Sequence, residues 1–241
     1  MLIDAHTHLR LEDRAPLVKN LLSEDLLLIV NGSTSEECAA LLSLSREARG
    51  RFLLSFGVHP WNASRKALSS MLPYLPMACA VGEIGMDAVW CETPHDVQRD
   101  VFIAQLEVAQ QNGKPIVLHT KGYELEVADI ISAYTVRKLV HWYSCADYLG
   151  FYVEQGCWFT VGPAVSDPAV LQVAACVPLD KLLLETDGFE AVHWASGETL
   201  DIGGYRSHLY RRMCELATLR GVTVEYLEKR MEENLSAFLR E

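Results

Sequence analysis

The stretch Leu2-Ile3-Asp4-Ala5-His6-Thr7-His8 decides between the two folds that this chain's repeated short apolar segments allow. Its apolar residues predict a first strand, Leu2–Ala5, which leads directly into two histidines. A doubly wound open sheet would instead carry a glycine-rich, phosphate-binding turn after its first strand. Because no such turn follows, the stretch favours a closed barrel of parallel strands.

Seven further apolar segments follow the first, and segments with helical spacing separate them. Short apolar runs of this kind are typical of strands buried on both faces of a parallel sheet. Eight strands that alternate with helices predict an α/β fold, a TIM-type (β/α)8 barrel, in which residues 1–241 form a single domain. The further strands are predicted at Leu26–Val30, Phe52–Phe56, Ala78–Val81, Pro115–Leu118, Lys138–Val140, Cys157–Val161 and Lys181–Leu184.

The helix between the fourth and fifth strands has the clearest boundary signals. Thr93 is predicted to cap it, Pro94 to occupy its first position, and the helix to run through Asn112, before Gly113. Further helices are predicted over Ser35–Arg49, after Ser166-Asp167-Pro168, and as two or three segments of Tyr205–Arg240 broken at Gly221.

The composition restricts the classes of function. A formal net charge of -11 argues against a basic module that captures nucleic acid, but bound cations would offset acidic ligands. The seven cysteines are scattered without a CxxC pair, which argues against a disulfide framework or a thiolate zinc site. With no signal peptide and no apolar run of membrane-spanning length in this sequence, we expect a cytoplasmic protein.

Residues with metal-binding side chains follow several of the predicted strands. His6 and His8 are two residues apart, so in extended backbone they face the same side. Each such residue taken singly could be an ordinary core residue or a helix cap. In a parallel barrel, however, the carboxyl ends of all strands converge on one face, which hosts the active site. The predicted cluster is His6, His8, Glu83, His119, His141 and Asp187.

Six nitrogen and oxygen ligands are too many for one tetrahedral ion, and they suit two divalent metal ions. Imidazole with carboxylate suits zinc, manganese, iron or nickel better than magnesium alone. The sequence therefore predicts a binuclear centre on the barrel face where the strands end.

These stretches resemble the TatD family of metal-dependent hydrolases, within the amidohydrolase superfamily. The resemblance implies a divalent metal centre held by the six residues above, with Glu83 bridging, and phosphodiester hydrolysis, typically as a deoxyribonuclease or 3′–5′ exonuclease. It rests on the ordered set Asp4-Ala5-His6-Thr7-His8, Gly57-Val58-His59-Pro60, Gly82-Glu83-Ile84-Gly85-Met86-Asp87, Pro115-Ile116-Val117-Leu118-His119, His141, Phe159-Thr160-Val161-Gly162 and Leu184-Glu185-Thr186-Asp187, with Glu233-Asn234-Leu235 and Phe238 near the end.

Asp187 and Glu83 are the predicted catalytic residues. Asp187 would orient the attacking water and accept its proton, because a carboxylate beside the nucleophile suits general-base work. His59 and Lys121 are the predicted substrate contacts, with the Lys121 ammonium meeting a phosphate. The alternatives are that His59 packs against its neighbours Pro60 and Trp61, and that Lys121 is a solvated surface residue.

Other polar and aromatic residues have predicted supporting roles. Asp4 is expected to accept a hydrogen bond from a ligand imidazole, and Asp87 to support the loop of Glu83 or to be merely a turn residue. Trp61, Trp90 and Trp194 follow predicted strands, and they either stack on nucleobases or pack the barrel rim.

Several loop segments depart from the family pattern and leave the substrate open. The expected substrate is single-stranded DNA or a DNA end, since an acidic protein should capture long duplex weakly. The alternatives are a small phosphoester, amide or lactone on the same centre, and a metal-binding barrel without turnover. No protein or membrane partner is implied. The departures are at Lys121, Tyr143-Ser144-Cys145, Gly188-Phe189 and Gly203-Gly204-Tyr205-Arg206.

Overall fold

Eight parallel strands form one sheet in which each strand pairs with the next along the chain. The structure is a computed structural model, and it describes residues 1–10, 16, 19 and 25–240. The strands are β1 (Leu2–Thr7), β2 (Leu26–Gly32), β3 (Phe52–Phe56), β4 (Ala80–Asp87), β5 (Ile116–Lys121), β6 (Lys138–Val140), β7 (Trp158–Val161) and β8 (Leu182–Leu184).

The chain nearly closes this sheet into a barrel where it leaves β8. The backbone N–H of Asp187 donates to the carbonyl of His6 at 3.1 Å, which joins the segment after β8 to β1. Consecutive strand order with helices between the strands is the (β/α)8 arrangement, so the predicted fold class is confirmed.

The described helices lie between and after the strands. They are α1 (Ser35–Glu47), α2 (Arg65–Met71), α3 (His95–Gln111), α4 (Glu124–Ser132), α5 (Leu149–Glu154), α6 (Pro168–Cys176), α7 (Phe189–Ser196), α8 (Tyr205–Arg220) and α9 (Val224–Leu239). Short 3₁₀ turns occur at Pro60–Asn62, Leu75–Met77 and Leu179–Lys181.

Four strands continue further toward the active face than their apolar runs predicted. β1, β2, β4 and β5 extend to Thr7, Gly32, Asp87 and Lys121, whereas the predicted strands ended at Ala5, Val30, Val81 and Leu118. All eight residues of β4 are buried, including Glu83 and Asp87. The apolar runs end before the strands do, because polar residues of the candidate site face the inside of the barrel.

The predicted start of α3 was wrong by one position. Pro94 is in an extended conformation, with ψ at 142°, so the helix begins at His95 and Thr93 does not cap it. The Thr93 hydroxyl instead donates to the Trp61 carbonyl at 3.4 Å. The helix start predicted at Ser166-Asp167-Pro168 is confirmed for α6, since the Asp167 side chain caps this helix by accepting from the backbone N–H of Ala169 at 2.8 Å.

The C-terminal segment forms the two helices α8 and α9, and the predicted break at Gly221 is confirmed. Gly221 has a φ of +63°, a left-handed conformation that glycine adopts without steric cost. In α9 the Asn234 amide donates to the carbonyls of Leu179 and Leu182 at 2.8 Å each, which fastens this helix to the start of β8. The last helix therefore closes the barrel wall.

Irregular strand pairing occurs next to two residues of the predicted metal cluster. The β1–β2 register shifts between Asp4 and Thr7, and the β4–β5 register shifts between Val81 and Ile84. Such irregularities redirect the side chains beside them. Here they flank His6 and lie at Glu83, so they set the direction of both side chains.

Among the residues that the structure describes, no helix is long and apolar enough to cross a membrane. The cytoplasmic location expected from the sequence stays a prediction.

Candidate metal centre

Glu83, on β4, lies at the middle of the predicted cluster, and its two carboxylate oxygens face different histidines. Its Oε1 lies 2.7 Å from Nε2 of His141 and 2.8 Å from Nδ1 of His119. Its Oε2 lies 3.3 Å from Nε2 of His8 and 3.4 Å from Nε2 of His6. One carboxylate thus spans two pairs of imidazoles.

Asp187 approaches the same cluster from the end of β8. Its Oδ1 lies 3.2 Å from Nε2 of His6 and 3.7 Å from Nε2 of His8. Asp187 has a φ of +58°, a left-handed conformation that aspartate tolerates better than most residues. At the following Gly188 a Cβ atom would lie 2.7 Å from the His8 carbonyl, so only glycine allows this turn to approach β1. All six predicted residues are therefore in one place.

Within the described residues, three overlapping sets of side chains could each hold a cation, because the ligand atoms of each set lie within 4.8 Å of one another. The Nε2 atom of His6 is buried and has no hydrogen-bond partner of acceptable geometry within the described part of the chain. A buried ring nitrogen without such a partner, among carboxylates and imidazoles, is a donor that a divalent cation takes once the nitrogen has lost its proton. The residues present therefore fit a metal centre. The three sets are His6 with His8 and Asp187, His6 with Glu83 and His141, and His59 with Glu83 and His119.

The opposite charges in the cluster shift the pKa values of its members. Burial raises the pKa of the Glu83 carboxyl, but the surrounding histidines prevail and hold it well below its usual range. Burial and the nearby His141 lower the pKa of His6, but Asp187 and Glu83 prevail and raise it to about 9. Glu83 and Glu185 likewise outweigh burial and raise the pKa of His141 well above its usual value. The metal-free cluster is thus held together by carboxylates and protonated imidazoles.

Asp87 orients His119, a role that was not predicted from the sequence. An Asp87 oxygen, Oδ2, lies 3.0 Å from Nε2 of His119 and accepts from the indole N–H of Trp61 at 2.7 Å. The other oxygen accepts from the backbone N–H groups of Val89 and Trp90. Asp87 is four residues after Glu83 on β4, and residues an even number apart on a strand share a face. This spacing was the signal in the sequence that could have identified the contact.

The prediction for Asp4 was wrong. Among the described residues its side chain contacts no imidazole ring, because its Oδ2 accepts from the Thr186 hydroxyl at 2.6 Å and from the Tyr205 hydroxyl at 2.5 Å. Burial raises the pKa of the Asp4 carboxyl to about 7, although those donors lower it. The ring of His6 instead meets the amide of Asn31, with its Nδ1 2.9 Å from Asn31 Nδ2. Asn31 was not among the residues predicted from the sequence.

Glu185 is a second missed residue. It is 1% exposed, and neither carboxylate oxygen has a hydrogen-bond partner within the described part of the chain. Its Oε1 lies 3.5 Å from Nδ1 of His141, on the side of the ring opposite Glu83. The signal was available, since a carboxylate directly after the buried strand β8 needs a partner.

His59 lies inside the cluster, while Lys121 lies beside it. The Nε2 atom of His59 is 3.4 Å from Glu83 Oε1 and 3.4 Å from Nδ1 of His119, and its ring meets Trp61 edge-on. Burial lowers the pKa of His59 although Glu83 opposes this. The Lys121 ammonium donates to the Ser144 hydroxyl at 2.7 Å. That His59 and Lys121 contact the substrate stays a prediction.

The sequence matches the family described as TatD related DNase over residues 3–240. It is 28% identical over 210 residues to the uncharacterized metal-dependent hydrolase TatD of Mycobacterium tuberculosis, covering 77% of this chain and 79% of that protein. It is 26% identical over 173 residues to the 3′-5′ ssDNA/RNA exonuclease TatD of a Rahnella species, covering 66% of each chain. It is 27% identical over 182 residues to the deoxyribonuclease Tat-D of Schizosaccharomyces pombe, covering 66% of this chain and 58% of that protein.

Solved structures have the same fold. The TatD homologue YjjV of Escherichia coli superposes with a TM-score of 0.85 at 22% identity, covering 98% of this chain and 97% of that one. The phosphotriesterase homology protein of Escherichia coli, solved with phosphate in its active site, gives a TM-score of 0.65 at 18% identity, covering 99% and 98%. At these identities the likeness shows the fold alone. The match to the family model covers nearly the whole chain, and the chain therefore belongs to the TatD family of metal-dependent hydrolases.

Proposed function

We propose that this chain is a nuclease that hydrolyses phosphodiester bonds in single-stranded DNA or at DNA ends. The observation that supports this most directly is the Glu83 carboxylate, whose oxygens face two pairs of imidazoles at 2.7–3.4 Å. A carboxylate in that position suits a bridge between two cations. We also propose that residues 1–241 form one catalytic unit.

The six clustered residues divide into two proposed ligand sets that share Glu83. His6, His8 and Asp187 lie on the side of Oε2, and His119 and His141 on the side of Oε1. The mixed nitrogen and oxygen donors suit zinc, manganese or nickel, and magnesium less well. When bound, two such ions would lower the pKa of water and offset the charge that develops on a phosphoryl oxygen.

Asp187 is the proposed general base. Its side chain is 18% exposed, so it faces both the cluster and the space that a substrate would enter. Interactions with His6 and His141 outweigh burial and lower the pKa of its carboxyl, which keeps it ionised at neutral pH. An ionised carboxylate beside the cluster can orient a water molecule and accept its proton.

His59 and Lys121 are the proposed substrate contacts. His59 is close enough to Glu83 and His119 to touch a phosphate that lies over the cluster. Lys121 is two residues after His119 on β5, so its side chain leaves the strand on the same face. Its ammonium would meet a second phosphate oxygen as a point charge.

The names of the Rahnella and fission yeast relatives support a nucleic-acid substrate. The charge of -11 supports a strand end or a short single strand, because long-range capture of duplex needs many cationic contacts. A small phosphoester, an amide or a lactone is the alternative, since loops at the site depart from the family pattern.

The test is hydrolysis by purified protein that has been stripped of metal and reloaded with manganese or zinc. Single-stranded DNA, duplex DNA and a panel of phosphate esters, amides and lactones are the substrates. We expect single-stranded DNA to be cleaved fastest, with two metal ions bound per chain. If DNA stays intact with every metal while another ester or an amide is cleaved, the nuclease proposal is wrong.

Glu83→Gln tests the centre itself, and Glu47→Gln, at an exposed position in α1, is the matched control. We expect Glu83→Gln to lower activity by more than about 100-fold and to reduce the metal content, because the substitution removes the shared anionic ligand. Glu47→Gln should keep the activity and the metal content of the unchanged protein. Full activity and full metal content in Glu83→Gln would contradict the proposed centre.

A further inference from the structure

Three tryptophans form a cluster beside the candidate metal centre, which we call the tryptophan cluster: Trp90, Trp142 and Trp194. The ring of Trp194 meets the ring of Trp142 edge-on, with centroids 5.9 Å apart, and that of Trp90 edge-on at 6.1 Å. The three residues come from segments after β4, β6 and β8. Tertiary folding thus joins indoles that are far apart in sequence.

Trp142 is the fixed base of the tryptophan cluster. It follows His141 directly, and its backbone N–H donates to the Thr160 hydroxyl at 3.0 Å. Its ring lies so close to Gly162 that a Cβ atom there would be 2.5 Å away. Trp194, in α7, packs against the Trp142 ring, and this contact positions its indole.

Trp90 connects the tryptophan cluster to the metal centre. Its backbone N–H donates to Asp87 at 2.8 Å, and Asp87 contacts His119. The ammonium of Lys121 lies 4.8 Å from the centroid of the Trp90 ring, within the range of a cation–π contact. The Lys121 ammonium, His119 of the candidate metal centre and the edge-to-face indoles are therefore continuous on one face.

Two members of the tryptophan cluster are largely exposed. Trp194 is 70% exposed and Trp90 is 51% exposed, so a large part of each side chain stays in contact with water. Burying an indole removes a large apolar area from water, and rim packing would have buried these rings. Of the tryptophans for which the sequence left both alternatives open, Trp90 and Trp194 keep large exposed areas, whereas Trp142, which was not predicted to have either role, packs the rim.

We propose that the tryptophan cluster stacks the unpaired bases of a single-stranded nucleic acid whose phosphate lies at the metal centre. This inference rests on the proposed function for the position of that phosphate. Indole faces stack on any base, and an adjacent lysine meets the backbone that links the bases. Inside a duplex the bases are paired and stacked on each other, so the only free base faces are the outer faces of the terminal pairs.

The experiment measures binding rather than turnover. The metal-loaded protein is titrated with a short single-stranded phosphorothioate oligodeoxyadenylate and with a matched strand whose terminal residues are abasic, using quenching of tryptophan fluorescence and anisotropy of a strand label. We expect the strand with bases to bind more tightly and to quench fluorescence. Trp194→Ala and Trp90→Ala should each weaken its binding by roughly 5- to 100-fold, the range for loss of one stacked base.

The conservative variant Trp194→Phe should restore most of the binding, because it keeps an aromatic face. Tyr226→Ala, which removes an exposed ring from α9, is the matched control and should bind both strands as the unchanged protein does. Equal affinity for the strand with bases and the abasic strand would overturn the inference, and so would a Trp194→Ala variant that keeps the preference for bases.

The two proposals can fail separately. If the protein prefers the strand with bases but hydrolyses no nucleic acid with any metal, the tryptophan cluster is a base-binding site and the nuclease proposal is wrong. If it hydrolyses single-stranded DNA but binds the abasic strand equally well, the nuclease proposal stands and the stacking inference is wrong.

Discussion

The imidazole of His119 lies between two carboxylates, with Nδ1 2.8 Å from Glu83 and Nε2 3.0 Å from Asp87. Asp87 thereby occupies one ring nitrogen and turns the other toward the centre. Carboxylates that hold a ligating histidine in this way set its tautomer and the direction of its lone pair. His119 would accordingly bind a cation through Nδ1.

The Asp87→Asn variant should bind divalent metal about 10- to 100-fold more weakly than the unchanged protein. That is the usual effect of removing a group that orients a ligand. Calorimetric titration of the metal-free protein with zinc or manganese measures the affinity. Asp100→Asn, an exposed position in α3, is the matched control and should leave it unchanged. Equal affinities in Asp87→Asn and Asp100→Asn would refute the role of Asp87.

Glu185 should act on His141 in the same manner. Its buried carboxylate lies 3.5 Å from Nδ1 of His141, and a hydrogen bond between them would direct Nε2 toward Glu83. We expect Glu185→Ala to lower metal affinity about 10- to 100-fold and Glu185→Gln, which keeps an acceptor oxygen, to lower it less. The absorption spectrum of the cobalt-loaded protein reports the ligand geometry. If both variants keep the spectrum and the metal affinity of the unchanged protein, Glu185 does not orient His141.

Metal binding should release protons near neutral pH. The pKa of His6 is raised to about 9, and those of His119 and His141 are raised as well, so these imidazoles hold protons in the metal-free protein. A cation needs the lone pair of a neutral imidazole, so it must displace those protons. Metal affinity should therefore fall as the pH is lowered. Calorimetry in buffers with different ionisation enthalpies counts the protons, and a heat that is independent of the buffer would contradict the prediction.

The stability of the metal-free protein should change with pH in the opposite sense. A histidine whose pKa rises on folding, from 6.5 to about 9 for His6, stabilises the folded state fully below pH 6.5. That contribution is lost as the pH rises through about 9. Urea unfolding of the metal-free protein should accordingly give a smaller free energy of unfolding at pH 9.5 than at pH 6.5. His6→Asn should reduce this difference between the two pH values.

Tyr205→Phe should lower the free energy of unfolding by about 1–3 kcal/mol, because it removes a donor from the buried Asp4 carboxyl. The Tyr205 hydroxyl also lies 3.0 Å from the Thr7 hydroxyl, so the substitution removes two contacts between α8 and β1. Urea denaturation measures the change. Tyr148→Phe, at a residue that is 43% exposed, is the matched control and should stay within about 0.5 kcal/mol. A Tyr205→Phe protein as stable as the control would show that the hydroxyl contributes nothing net.

The sequence was a good guide to the strands and a poorer guide to their ends. β3 and β6 have the predicted bounds, because their apolar runs end where the strands end. β4 was predicted six residues too short at its carboxyl end, because Glu83 and Asp87 break the apolar pattern while remaining in the strand. The apolar pattern alone therefore does not show where a strand that contains buried polar residues ends.

Contacts between side chains were predicted less well than positions. The side chain of Asp4 is near His6 in sequence, yet its partners Thr186 and Tyr205 are brought to it by the closure of the barrel and by α8. Asn31 reaches His6 from the neighbouring strand β2. Neither contact has a signature in sequence spacing, because each depends on which strands become neighbours.

The sequence by itself determined which residues share the active face. In a repeated strand–helix chain every strand points the same way, so His6, Glu83, His119, His141 and Asp187 must emerge at one end. Only the tertiary structure decided which atoms meet. The distances from Glu83 Oε1 and Oε2 to their histidines, and the assembly of Trp90, Trp142 and Trp194, depend on barrel closure, strand register and side-chain direction. Those are set by packing among residues distant in the chain, which no local pattern encodes.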